Sequence, residues 1–462
     1  GLITMAAVET AIAWALSHGL VVRPKGVTKH APMTLRPTPF PKAEFERAIA
    51  LQRQMNELYH RVSRDHDFLV ESLSGAVLSD PFTARCFEVY QKVHALGVKQ
   101  NKSLGVTRSD YMIHCPDGKP CIKQVEYNTI SASFASLSEK VGQMHRFLEG
   151  RFPSGEPGTL PENNPVDGIV DGMHSAVLAY ASGRGVERSQ VNVLFVVQPG
   201  EGNVFDQRHL EFRLFERHAI GVLRRTLAEI RDSATVDTDS HTLSIDGHEI
   251  AVVYFRAGYQ PPDYPSEREW EARLLLERSL AIKCPNVAFH LAGCKKIQQI
   301  LADRAVLARF LPESDIGPVL ESFIGLYSLG GGHHALDQAA VDKALANPSS
   351  YVLKPQREGG GNNIYDEAVR TELTRMSKEE LSGFILMEMI QSPKRDTVFV
   401  RDDETSTGPA LSELGVFGVM LSDGDVLNTN TEVGYLLRTK TSDSREGGVA
   451  AGFAVLDSVK LV

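Results

Sequence analysis

Apolar positions in residues 6–18 recur at helical spacing, and the run stops at Gly19, a residue suited to closing a helix. Residues 45–69 keep the same period for longer and predict one long helix. After Asp110 the period shortens. Residues 121–125 predict a strand that gives way to Glu126-Tyr127-Asn128-Thr129. Residues 153–165 are rich in Pro, Gly and Asn and read as a loop. The apolar, β-branched run 191–197 predicts a buried strand, followed by a helix that Asp206 caps and that continues through Phe212 and Phe215. Residues 250–255 predict a second buried strand. Ser266-Glu267-Arg268-Glu269 is a capping box, opening a helix whose apolar face carries Trp270, Leu274 and Ile282. This strand–helix alternation predicts a compact α/β lobe. Further on, residues 337–347 predict a helix and residues 384–390 a strand. Residues 414–421 and the run from Val426 flank Ser422-Asp423-Gly424-Asp425 as a hairpin.

A chain of 462 residues exceeds what one hydrophobic core serves, so two or three lobes are expected. The net charge of −9 argues against a general binder of nucleic acid or anionic membrane, and leaves room for a basic pocket inside an acidic envelope. No apolar run approaches membrane-spanning length. Residues 5–16 carry Glu9 and lack a basic flank, so they do not read as a signal peptide. Gly1-Leu2-Ile3-Thr4 ahead of Met5 fits either a cloning remnant or a processed end, which leaves secretion open. Five cysteines without a C-x-x-C indicate neither a disulfide framework nor a zinc site, and point to a reducing, cytoplasmic setting. His333-His334 lies in a Gly-rich loop and reads as solvated.

The chemistry is concentrated in a few polar stretches. Lys354-Pro355-Gln356-Arg357-Glu358-Gly359-Gly360-Gly361-Asn362-Asn363 follows the strand end Tyr351-Val352-Leu353. Glycines let backbone N–H groups wrap phosphate oxygens, Lys354 and Arg357 add positive charge, and Glu358 offers a carboxylate that can hold Mg²⁺; a plain surface turn is the alternative. The run matches neither the P-loop nor the dinucleotide fingerprint. Alternation places Glu126 and Asn128 on one face of an extended segment, where two oxygens suit a hard cation. Arg108-Ser109-Asp110-Tyr111 is a further polar cluster. Its arginine either acts on a reacting carboxyl group or makes an ion pair with Asp110. Arg256 and Tyr259 lie just past a buried strand, where ligands of α/β lobes bind. Leu436-Leu437-Arg438-Thr439-Lys440 leads to a second small-residue loop, Glu446-Gly447-Gly448-Val449-Ala450-Ala451-Gly452. Two glycine-rich flaps, lysines and three oxygen ligands suit phosphoryl transfer from ATP.

Together these stretches resemble the eukaryotic-type glutathione synthetases of the ATP-grasp ligase superfamily. The match includes Arg-Ser-Asp-Tyr-Met at 108–112, Glu-x-Asn-Thr-Ile-Ser-Ala-Ser-Phe at 126–134 and Asn-x-Phe-Asp-Gln-Arg at 203–208. It continues with Tyr-Phe-Arg-x-Gly-Tyr at 254–259, Leu-Ala-Gly-Cys-Lys-Lys at 291–296, the glycine-rich loop and Ser-Glu-Leu-Gly at 412–415. The resemblance implies a mixed α/β, ATP-grasp-like fold. Its body would comprise 1–190 and 412–462, with an α/β substrate lobe at 191–296 and a lid at 297–411. It implies ligation of glycine to γ-glutamylcysteine through an acyl phosphate, by a homodimer using ATP and two Mg²⁺; a different acceptor or a non-catalytic secreted relative are the alternatives. Glu126, Asn128 and Glu358 would hold metal. Lys295, Lys354, Gly359, Gly360, Gly361, Asn363 and Tyr365 would hold phosphates and nucleotide. Met387, Glu388, Met389 and Ile390 would line the adenine pocket, with Glu413, Lys440 and Glu446 completing the nucleotide site. Arg108 would act in catalysis and, with Ser131 and Ser133, hold the cysteinyl part. Asn203, Gln207, Arg256 and Tyr259 would hold the γ-glutamyl part, and Arg438, Val449 and Ala450 the glycine carboxylate. Cys294 and Met389 depart from residues common among relatives. Residues 401–411 match poorly and read as a flexible loop.

Overall fold

The structure, a computed structural model, describes residues 5–357, 361–444, 448–449, 452 and 454–462. Its largest sheet has seven strands in the order Arg395–Arg401, Met33–Thr34, Val455–Asp457, Val426–Thr441, Glu404–Asp423, Lys102–His114 and Cys121–Asn128. All pairings are antiparallel except that of Val455–Asp457 with Met33–Thr34.

The period of two along these strands fixes what each face meets. One face presents Tyr111, Leu414, Met420 and Leu437, which pack with Leu51, Met55 and Leu58 of helix Lys42–Arg64. The opposite face changes character along its length. At one end Leu104, Val106, Val419, Leu421 and Leu436 share a core with Ile169, Val170, Met173 and Val177 of helix Pro165–Arg184. That helix lies so close that a Cβ on Gly172 would fall 2.4 Å from Val419 Cγ1. At the other end the same face carries Arg108, Asp110, Met112, Glu413 and Arg438.

A second sheet joins Val222–Arg225, Val191–Val196, His248–Phe255, Leu243–Ile245 and Ala234–Val236 in that order, with Ile282–Cys284 also paired to His248–Phe255. Its middle strands are parallel and buried on both faces, so they read as apolar runs. A third, antiparallel sheet has the order Leu326–Ser328, Phe384–Glu388, Tyr351–Pro355 and Ile364–Tyr365. The glycine-rich run connects its last two strands.

Several expectations need correction. The predicted helix 45–69 is two helices, because Asp65 leaves the first and its carboxylate accepts the Phe68 N–H at 3.0 Å, capping the second. The strand 121–125 extends to Asn128. Helix Val204–His218 has Asn203 at its N-cap, not Asp206. Asp206 instead caps helix Ala135–Arg151, accepting from Phe134 N at 2.8 Å and Ser136 N at 3.0 Å. Residues 401–411 are not a flexible loop. Strands Arg395–Arg401 and Glu404–Asp423 form a hairpin there, turning at Asp402 (φ 53°) and Asp403 (φ 62°). Both turn residues are left-handed, as a tight hairpin requires, and Asp is among the few residues that accept this. The exposed, polar start of strand Glu404–Asp423, with no apolar alternation, hid the pairing.

Candidate active site

The charged end of the sheet face is the floor of a cleft of about 230 Å³. Cross-strand register brings its residues together: Arg108 lies opposite Asn128, Asp110 opposite Glu126, Glu413 opposite Met112 and Arg438 opposite Glu413. Residues opposite each other share a face, so four strands deliver one surface. The Arg108 guanidinium holds Asp110 in a fork, Nε to Oδ1 at 2.6 Å and Nη2 to Oδ2 at 2.9 Å, and donates Nη1 to the Ser133 carbonyl at 3.2 Å. The ion pair left open by the sequence is therefore present, and Arg108 also lines the cleft. Arg438 pairs with Glu413 and with Asp110. Burial disfavours the charge of Arg438, but Glu413, Asp110 and Glu126 outweigh it and hold the guanidinium firmly protonated.

Above the floor stand residues from other elements. Lys295, at the start of helix Lys295–Ile300, donates to Glu126 Oε2 at 2.8 Å. Lys354 reaches from strand Tyr351–Pro355 to the Val125 carbonyl at 2.9 Å. Burial acts to raise the Glu126 carboxyl, yet Lys295 and Lys354 prevail and hold it well below the usual carboxylate range. Val352, Met387, Met389 and Ile390 make an apolar wall, with Glu388 at its edge accepting the Tyr327 hydroxyl at 2.6 Å. Asn363 donates to the Tyr365 hydroxyl at 3.1 Å. Lys440 and Val449 close the far side. Gly361 is left-handed, at φ 77°.

The third wall is the turn 131–134. Ser131 (φ 52°) and Phe134 (φ 70°) are left-handed without being glycine, a strain that the surroundings must impose. Ser131 Oγ donates to the Phe255 carbonyl at 3.0 Å, and Asp206 takes the Phe134 N–H. Ser133 and Tyr259 line the cleft beside them. Asn203, Gln207 and Arg256 do not line it; they sit behind this wall. Arg256 donates Nη2 to Asp206 Oδ2 at 2.9 Å, and Gln207 accepts from Arg224 at 2.7 Å. The atoms Arg256 Nη1, Gln207 Nε2 and Asn203 Oδ1 are buried without a partner among the described residues. Buried polar atoms left so are costly, and a ligand reaching past the turn would satisfy them.

Glu358, Gly359, Gly360, Glu446 and Ala450 lie outside the described residues. Among the described residues, no three His, Cys, Asp or Glu side chains converge as a metal cluster. The donors that stand together are Glu126 and Asn128. Asn128 Nδ2 donates to the Arg108 carbonyl at 3.1 Å and to Asp110 Oδ2 at 2.9 Å. Both partners are acceptors, so the amide oxygen must face away from them. A carboxylate kept ionised and an amide oxygen are hard donors that fit Mg²⁺.

Among its described lining, the cleft has six Lys or Arg against three Glu. It is thus a basic pocket in a chain of net charge −9, suited to a polyphosphate and to carboxylates. Asp110 and Asp206, neither of them assigned a site role from sequence, turn out to hold the walls.

Residues 4–461 match the family model described as the eukaryotic glutathione synthase ATP-binding domain. The chain belongs to the eukaryotic glutathione synthase family. It is 42% identical over 468 residues to the glutathione synthetase of Dictyostelium discoideum, covering 97% of each chain. It is 43% identical over 456 residues to that of Bos taurus, covering 96% of this chain and 94% of the other. A solved glutathione synthetase-like effector from Globodera pallida superposes with a TM-score of 0.81 at 22% identity, covering 99% of this chain and 97% of that one, a likeness of fold. Membership makes this chain an ATP-binding member of a ligase family and accounts for the mixed α/β architecture.

Proposed function

We propose that this chain is an ATP-dependent ligase that joins glycine to γ-glutamylcysteine, giving glutathione, ADP and phosphate. The observation that carries the reading is one cleft with two kinds of cationic wall. Lys295 and Lys354 flank Glu126 on the nucleotide side, and Arg108 and Arg438 share Asp110 on the substrate side.

In this reading the cysteinyl carboxylate lies by Arg108, with Ser131 and Ser133 beside it. One of its oxygens attacks the γ-phosphorus of ATP, ADP departs, and the carboxyl becomes an acyl phosphate. The glycine carboxylate lies by Arg438 and the Val449–Ala450 backbone, aiming the amine at the acyl carbon. Attack forms the amide bond, phosphate leaves with the former carboxylate oxygen, and the amine gives up a proton. Arg108 stabilises the charge that grows on the reacting carboxyl group. The γ-glutamyl part extends past the 131–134 turn towards Asn203, Gln207, Arg256 and Tyr259. Val352 and residues 387–390 take the adenine, with Asn363, Tyr365, Glu413, Lys440 and Glu446 around the rest of the nucleotide. Gly359, Gly360 and Gly361 cover the phosphates with backbone N–H groups. Glu126, Asn128 and Glu358 would hold two Mg²⁺, which when bound neutralise phosphate charge. Residues 1–190 and 412–462 would serve as the ATP-grasp body, 191–296 as the substrate lobe and 297–411 as the lid. We also propose a homodimer in a reducing compartment such as the cytoplasm, a setting that the five free thiols favour.

Coupled ADP release, with γ-glutamylcysteine and glycine, β-alanine or serine in turn, tests the reading. The expected result is turnover dependent on γ-glutamylcysteine and fastest with glycine. Turnover preferring β-alanine or serine would move the acceptor assignment, and none with any acceptor would overturn the ligase reading.

A further inference from the structure

We propose that Asp110 is a positioning residue of this cleft, one buried carboxylate that fixes Arg108, Arg438 and Asn128 relative to one another. The inference rests on the ligase reading above, in which those three residues serve the donor carboxylate, the acceptor carboxylate and the metal.

The geometry is saturated. Asp110 Oδ1 accepts Arg108 Nε at 2.6 Å. Its Oδ2 accepts Arg108 Nη2 at 2.9 Å, Asn128 Nδ2 at 2.9 Å and Arg438 Nη2 at 3.0 Å. Four donors fill what an ionised carboxylate offers. Asp110 is fully buried and does not itself line the cleft, whereas all three of its partners do. Each partner leans on Asp110 with part of its hydrogen-bonding capacity and also lines the cleft. Arg438 Nε has no partner among the described residues, and the Asn128 oxygen must face away from Asp110. A buried charge pair is a poor way to gain stability alone, and a better way to hold functional groups in one geometry.

The backbone makes room for this. Gly415 lies directly opposite Asp110 on the neighbouring strand. A Cβ there would stand 2.6 Å from Arg108 Cδ and 2.8 Å from Asp110 Oδ1. The Ser-Glu-Leu-Gly block at 412–415 thus contributes an empty place as well as Glu413.

The test is Asp110→Asn, which keeps the shape, removes the charge and turns an NH₂ group on donors. KM for glycine and for γ-glutamylcysteine should each rise about tenfold or more, the scale seen when a ligand's supporting partner is lost. The Mg²⁺ concentration needed for half-maximal rate should rise as well, because Asn128 loses the same partner. Gly415→Ala, which leaves every charge in place, should lower kcat by displacing Arg108. Calorimetric binding of γ-glutamylcysteine to the unaltered chain and to both variants reads the same geometry without turnover. If the unaltered chain binds γ-glutamylcysteine but ligates nothing, the ligase reading fails while weaker binding by the variants still supports the role of Asp110. Asp110→Asn with unchanged constants and only a lower Tm would overturn the proposal. Should that variant not fold, Gly415→Ala with unchanged kcat and unchanged binding would overturn it.

Discussion

The two ends of one sheet face differ in what covers them. At the apolar end, Leu104, Val419 and Leu436 lie under helix Pro165–Arg184 and are lost to water. At the charged end, Arg108 and Arg438 line a cleft, and Asp110, fully buried beneath them, holds both. The strands and the period are the same. Apolar burial at one end stabilises the sheet; at the other the sheet holds charges whose full use waits for a ligand. Stability and chemistry therefore separate along a single surface.

Substitutions at the two ends should break in different currencies. Leu104→Ala removes a fully buried side chain and should cost about 2–5 kcal/mol of stability, read from the urea midpoint, with kinetic constants per folded molecule unchanged. Arg108→Ala should lower kcat by about 10² or more, the scale of one charge-stabilising donor. A variant with only a raised KM for γ-glutamylcysteine would reduce Arg108 to an anchor.

A third expectation concerns pH. Burial lowers His60 to about 4, with Arg64 acting in the same direction. Burial also lowers His145, and His290 well below its ordinary value. These histidines are neutral when folded, while in the unfolded chain they take up protons below about pH 6.5. Stability should thus be full above that pH and fall as pH drops towards 4, since the unfolded state then binds more protons. Tm measured across this window should decline, and His60→Gln should flatten the slope. The smallest effect belongs to the surface. Breaking the Arg395–Glu156 pair, 3.0 Å apart and half exposed, should shift stability by about 0–1 kcal/mol in a chemical-denaturation curve.

The floor was largely legible in the sequence. Glu126 and Asn128 fall on one face by alternation, Arg108 stands out in a polar cluster, and the glycine-rich run stands next to an apolar strand. What could not be read is what depends on distant register. Arg438 meets Asp110 across 328 positions of sequence, and no local pattern announces that. Asp206 had the look of a cap, and is one, for a helix some seventy positions earlier. The 401–411 segment lacked apolar alternation because the second strand of its hairpin is exposed where it begins, over Glu404 to Thr407, so a polar stretch read as loop. Its signal was Asp402-Asp403, two residues that accept the left-handed turn.

The most direct test follows one oxygen atom. With γ-glutamylcysteine labelled with ¹⁸O in its cysteinyl carboxylate, each turnover in the presence of ATP and glycine should place one labelled oxygen in the released phosphate. The amide carbonyl of the product should keep the other. Phosphate released without label, its new oxygen coming from water, would mean that ATP is hydrolysed without activating the carboxylate, and would contradict the account.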